Sequence, residues 1–302
     1  MSISYRKSKF IRRSRLFRGS FKLWKPRLIF WTGALAIGVT SVAFAWVADM
    51  AQNAFLGITT SGGRPPLLPL VVTPLGFILS AWLAITLFPN SQGSGIPQAI
   101  AARHLHDEAD RSALLSLRIA FGKIGLTVLG LFCGASIGRE GPTVQVGASF
   151  MLAAARFGGM AQARGLILAG SAAGIAAAFN TPLAGIVFAI EEMSRAYESR
   201  ANGIVLTAVI LSGLAALGLS GNYNYFGTAT AAPFNVIDWL LVPICGIGGG
   251  MLGAAFSGFA LYSGIRIRRW AQPSPRKRMI LLAGICGLGV AVIGVVSGGD
   301  TF

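Results

Sequence analysis

Six long apolar stretches constrain this chain more than any other feature: residues 28–50, 66–88, 114–134, 204–219, 236–262 and 279–296. Each is close to the length needed to cross a hydrocarbon layer as a helix, about 20 residues at 1.5 Å of rise per residue. Inside a bilayer no water is available to pair with the backbone, so a spanning segment must satisfy its own N–H and C=O groups. Runs of this length are therefore expected as helices. A further apolar stretch, 165–190, is interrupted at Phe179-Asn180-Thr181-Pro182 and reads as two short helices meeting at a break. With 54% hydrophobic and 12% charged residues among 302, the composition points to an all-α multi-spanning membrane protein.

Small residues support the same reading. Forty glycines are interleaved with Leu, Ile and Val, a pattern that lets membrane helices approach closely and be interrupted where a cavity needs backbone lining. Gly248-x-Gly250-x-x-Gly253 resembles a dinucleotide fingerprint, yet it lies in mid-span with no preceding strand, so helix packing is the expectation. Cys133, Cys245 and Cys286 lack metal or redox spacing and are expected as small buried hydrophobes.

The net charge of +16 comes largely from two basic clusters, one in residues 6–27 and one in 266–278. Both flank apolar spans, which assigns them to the cytoplasmic side, where they can also touch anionic membrane lipid. No recognition-helix, RNP-like or zinc-finger pattern accompanies them, so a nucleic-acid partner is not expected. The basic N-terminal part is too long for a signal peptide, and the first apolar run is long enough to remain as a transmembrane helix.

Against this background, one carboxylate stands out. Gly138-Arg139-Glu140-Gly141-Pro142 lies between the apolar run ending at Ile137 and a small-residue segment, residues 143–155. An ionisable residue at membrane depth is costly and usually functional. The flanking glycines break the backbone, and Pro142 suits the first turn of a new helix. A helix starting there aims unpaired N–H groups and a positive dipole end at whatever lies in front of it. Glu140 thus sits where an anion would also bind.

Two other breaks share this chemistry. Gly93-Ser94-Gly95-Ile96-Pro97 precedes a short apolar piece, and Ser94 is placed either to cap it or to donate its hydroxyl to an anion. Phe179-Asn180-Thr181-Pro182 leads into a short helix ending in Glu191-Glu192, which on spacing alone reads as a solvated helix end. Interrupted helices meeting at mid-membrane are a common way to build a transport site. Lys123 is a further intramembrane charge, either drawing anions inward or snorkelling to the cytoplasmic surface. The cluster His104, His106, Asp107, Glu108, Asp110 reads as a solvated loop rather than a metal site. No metal, cofactor or enzyme constellation is expected.

These motifs make the chain similar to the CLC family of chloride channels and chloride/proton exchangers, of the bacterial type. The match rests on Gly93-Ser94-Gly95-Ile96-Pro97, on Gly138-Arg139-Glu140-Gly141-Pro142-Thr143-Val144-Gln145, and on the run from Ala172 through Phe179-Asn180-Thr181-Pro182 to Glu191-Glu192-Met193. The resemblance implies that Ser94, with Gly95 and Ile96, binds the permeant anion and that Glu140 is the gating glutamate. As a carboxylate Glu140 blocks the path; protonated, it swings away. Glu192 falls on the family's internal proton glutamate, which tilts the reading toward chloride/proton exchange over a gated channel. Gly93, Pro97, Gly138, Arg139, Gly141 and Pro142 support the motifs, and the family carries a Lys in the place of Lys123. The transported ions implied are chloride and protons, and the family's homodimer implies a second copy for the full-length protein.

The resemblance also sets the organisation. Residues 1–27 form a basic cytoplasmic segment, 28–219 a first membrane repeat, and 220–302 the start of a second, inverted repeat. The second repeat's Gly-x-Phe-x-Pro motif and late Tyr have no counterpart here, the last tyrosine being Tyr262. The expectation is a C-terminally incomplete CLC-type fold, the N-terminal part of a longer transporter. A non-conducting truncated member is the remaining alternative. The cell (inner) membrane is the expected location for a bacterial source, with the N-terminus cytoplasmic.

Overall fold

The apolar runs become helices, and the Gly- and Pro-marked breaks are where helices end. The computed structural model describes residues 3–60, 67–194, 202–222, 227 and 238–297, with side chains from Trp24 onward in the first helix. In chain order the helices are α1 (Ile3–Thr60), α2 (Pro69–Thr86), α3 (Ile96–His104), α4 (Glu108–Leu114), α5 (Leu117–Phe132) and α6 (Glu140–Gly158). They continue with α7 (Ala163–Ala178), α8 (Pro182–Phe188), α9 (Asn202–Ser220), α10 (Asp238–Ala271) and α11 (Pro275–Val296). A π-helical turn, Ala189–Ser194, extends α8. By length and composition α1, α2, the α4–α5 pair, α9, α10 and α11 can each cross a membrane.

Local chemistry explains the ends. Asp107 accepts from the Ala109 N–H at 3.1 Å to cap α4, and Ser116 accepts from the Ile119 N–H at 3.3 Å to cap α5. α6 stops at Gly159, whose φ of +64° closes the last turn in the left-handed region. Asn180 (φ +54°) turns the chain between α7 and α8, the break expected at Phe179-Asn180-Thr181-Pro182.

α7 is the centre of the molecule. Every residue from Leu166 to Ala177 is buried, although the helix has only 16 residues. α6, α9 and α1 surround it, and α8 folds back along it. The α6–α7 crossing depends on glycine: a Cβ on Gly147 would overlap the Gly170 carbonyl oxygen, and one on Gly170 would overlap that of Gly147. Two backbones in this contact exclude any side chain between them, which is how small residues drive helix association where lipid removes the hydrophobic incentive.

α1 continues unbroken through Pro26, at the junction between the basic segment and the first span. Two expectations need correction. Gly248, Gly250 and Gly253 have open space around them, so no described residue packs on that stripe. Cys133 is buried, but Cys245 and Cys286 are exposed. Gly248, Gly250, Gly253 and Cys245 lie on α10, which is exposed along almost its whole length, with Leu252 at 75%; Cys286 lies on α11, which packs against α2 but leaves this position uncovered.

Candidate functional site

Two helix starts meet at the centre of the candidate site. α3 begins at Ile96 with Pro97 in its first turn, behind Gly95 at φ +103°, a conformation that only glycine adopts without strain. Gly95 is buried, and a Cβ there would lie 2.9 Å from Gln145 Cβ and 3.1 Å from the Gly141 carbonyl oxygen. From the other side, a Cβ on Gly141 would lie 2.9 Å from the Ser94 carbonyl oxygen and 3.1 Å from Ser94 Cβ. The Gly93–Pro97 motif and the Gly138–Pro142 motif therefore abut, although 45 positions separate them in the chain.

Each residue of the pair has a definite place. Ser94 does not cap α3, because Gly95 holds the N-cap position and no side chain caps there; Ser94 is exposed. Its hydroxyl is thus not committed to a cap bond. Glu140 is the first residue of α6, half-buried, and its carboxylate folds back over Gly138, where a Cβ would overlap Oε2. Pro142 is buried in the first turn, as expected. Arg139 anchors the motif to α1: its Nη1 donates to Asp49 Oδ1 at 2.5 Å and to the Ala45 carbonyl at 3.1 Å.

Lys123 does not snorkel. It is 3% exposed and donates to the Ser91 carbonyl at 2.7 Å and to the Gly93 carbonyl. Among the described residues no carboxylate pairs with it, so a positive charge stands uncancelled directly beneath the loop that carries Ser94. The same loop is held from other directions. Gln145 Nε2 donates to the Asn90 carbonyl at 3.1 Å and to the Leu114 carbonyl at 3.0 Å. Asn90 Nδ2 donates to the Ala113 carbonyl at 2.7 Å, and Gln98 Nε2 to the Gln92 carbonyl at 2.5 Å.

Glu192 stands apart. It is exposed on the π-helical turn, next to Met193, which is buried. The Met193 carbonyl accepts from Arg103 Nη1 at 2.7 Å, and Arg103 is in the last turn of α3. Thus α3 touches the Gly141 region with its start and the Glu192 turn with its end, about 13 Å apart at 1.5 Å per residue.

Three side chains in this arrangement have no role in the sequence reading: Gln145, Asp49 and Arg103. The signal for each was present. A Gln inside Val144-Gln145-Val146-Gly147, or an Arg inside Ala101-Ala102-Arg103, is a polar group in an apolar run and must find buried partners. The His106 ring takes part in a 2.7 Å contact with Arg164, tying the loop before α4 to the start of α7.

Spanning helices around interrupted half-helices, with two helix starts meeting beside a carboxylate, are an arrangement common among secondary transporters. A family profile described as "Voltage gated chloride channel" matches residues 75–301, and the chain belongs to that family. It is an integral multi-pass membrane protein. The H(+)/Cl(-) exchange transporters ClcA of Salmonella newport (strain SL254) and Salmonella agona (strain SL483) are each 31% identical over 268 residues, covering 83% of this chain and 54% of the relative. The chain thus spans about half the length of these relatives. Among solved structures, a slow cyanobacterial Cl−/H+ antiporter matches with a TM-score of 0.74 at 23% identity, covering 88% of this chain and 64% of that one. A eukaryotic CLC transporter matches at 0.70 and 24%, covering 89% and 49%, and a CLC-type fluoride/proton antiporter at 0.68 and 22%, covering 91% and 66%. At these identities the structural likeness establishes the fold.

Proposed function

We propose that the protein exchanges chloride for protons across the membrane, with Glu140 as gate. One observation carries this reading: the starts of α3 and α6 abut, bringing Ser94 beside the turn on which Glu140 sits. An anion at Ser94, Gly95 and Ile96 faces the N–H groups that open α3, with the Lys123 ammonium beneath the loop. The Glu140 carboxylate competes for that positive region. An anion bound nearby raises the free energy of the charged carboxylate by like-charge repulsion and favours its protonation. A protonated Glu140 no longer competes, and the path opens. Glu192, exposed at the other end of α3, takes protons from the cytoplasm in this reading.

The relatives' printed names support exchange over channel conduction. In this reading residues 28–219 serve as the first repeat and 220–302 as the start of a second. The basic segments at 6–27 and 266–278 favour a cytoplasmic N-terminus, contact with anionic lipid and, for a bacterial source, the inner membrane. For the full-length protein the family resemblance implies a homodimer.

The test is flux in liposomes containing the protein as its gene encodes it. A chloride gradient is expected to drive proton uptake. Glu192→Gln is expected to abolish proton uptake and keep chloride flux, and Glu140→Gln to give chloride flux that no longer moves protons. Chloride flux without proton uptake in the parent identifies a channel instead. The absence of both fluxes identifies a non-conducting member.

A further inference from the structure

Arg103 is a buried cation for which the transport reading has no use. It is 5% exposed, on the last turn of a nine-residue helix, between Ala102 and His104. A guanidinium in such a place is costly and persists where its position matters. Its Nη1 reaches across 90 positions of sequence to the Met193 carbonyl at 2.7 Å. Met193 follows Glu192 directly, and their Cα atoms are about 3.8 Å apart as in any trans peptide.

The acceptor lies in an unusual backbone. Residues Ala189–Ser194 form a π-helical turn, a rare wide geometry that is frequent at functional sites. The Met193 side chain is buried among the core residues that also include Ala99 and Ala102 of α3. The Glu192 turn continues α8 and packs against α7, and the Arg103 bond is what ties it to α3. α3 is itself held at both ends. Gly95 is wedged against Gln145 at its start, and Arg111 donates through Nε at 3.0 Å and Nη2 at 2.6 Å to the Leu105 carbonyl just past its end.

We propose that Arg103 is a positioning residue for proton transfer: by gripping the Met193 carbonyl it fixes the Glu192 turn to the same short helix whose start contributes to the anion site. This rests on the reading of Glu192 as the proton relay. One rigid helix then sets the distance between the two ions' stations. Loss of the grip releases the proton station and leaves the anion station in place, because Gly95, Gln145 and Lys123 hold the latter independently of Arg103.

The experiment compares the parent with Arg103→Met, Arg103→Lys and Glu192→Gln in liposomes, reading chloride efflux and chloride-driven proton uptake together. Arg103→Met preserves side-chain volume and removes the donor. It is expected to lower the protons moved per chloride by about fivefold or more, a typical size for coupling between sites, with chloride efflux within about twofold of the parent. Arg103→Lys keeps a cationic donor and is expected to restore most of the ratio, which a purely structural role would not predict. Should Arg103→Met not elute as a single folded species, Arg103→Leu, which also lacks a donor, is judged on the same ratio. An unchanged ratio in Arg103→Met overturns the proposal, as does an equal fall of both fluxes. If Glu192→Gln loses proton uptake and Arg103→Met does not, the positioning role alone fails. If Glu192→Gln keeps the parent ratio, the relay reading fails and the positioning role with it.

Discussion

At the scale of single residues, buried polar side chains hold the site through main-chain carbonyls rather than through one another. Lys123 is the sharpest case. Removing it leaves the Ser91 and Gly93 carbonyls without their donor, a loss of about 2 kcal/mol for a charge-assisted bond in a buried setting. Lys123→Met is expected to lower the thermal transition of the purified protein, read by fluorescence-detected size exclusion after heating. Lys123→Gln keeps a donor and loses the charge. It is expected to recover part of that stability while chloride affinity, measured by calorimetry, still falls. Equal affinity in the parent and the Gln variant would limit the ammonium to holding the loop. Ser94 and Glu140 stand out in the sequence because each lies at a marked break, whereas Glu192 reads on spacing as a solvated helix end and is singled out only by the family resemblance. Lys123 is visible as a charge in an apolar run, but whether it snorkels or turns inward depends on the carbonyls that the loop presents to it. Those appear only once the loop has closed beneath α3.

Among the helices, the chain's glycines separate into two groups. Gly147 and Gly170 put the α6 and α7 backbones in contact, whereas the glycines of α10 meet open space. Gly170→Val is expected to force α6 and α7 apart, because its branches enter the Gly147 carbonyl and a Cβ there already lies 2.7 Å from Met151 Cβ. Overpacking of this kind costs on the order of 3 kcal/mol. The expected readout is loss of the monodisperse peak in mild detergent. A matched Gly250→Val change in α10 is expected to leave the peak unchanged. Nothing in the local sequence tells these glycines apart, since both groups are embedded among Leu, Ile and Val. The helix starts are more legible. Pro97, Pro142 and Pro182 each fall in the first turn of a helix, where a missing N–H costs nothing. The exception is the cap of α3, where the left-handed Gly95 displaces Ser94 from the role its side chain suits.

For the molecule as a whole, burial is uneven. α1, α3, α6, α7, α8 and α9 share one core, while α10 lies outside it with apolar side chains exposed on every side. The cysteines report on this division. In detergent, N-ethylmaleimide is expected to add to Cys245 and Cys286 and to spare Cys133 until the protein unfolds, giving two adducts by intact mass. Protection of Cys245 in the protein as its gene encodes it would mean that further protein covers α10. By itself the sequence determined the membrane-spanning helices and the places where they break. In lipid the backbone can satisfy itself only through local hydrogen bonds, so length and Gly/Pro punctuation decide both. The tertiary structure alone decided which breaks abut, which charges turn inward and which helix remains uncovered. Gly95 against Gly141, Arg139 on Asp49 and Arg103 on Met193 join residues 46, 90 and 90 positions apart, and contacts at such separations follow from how helices pack, which no local pattern encodes.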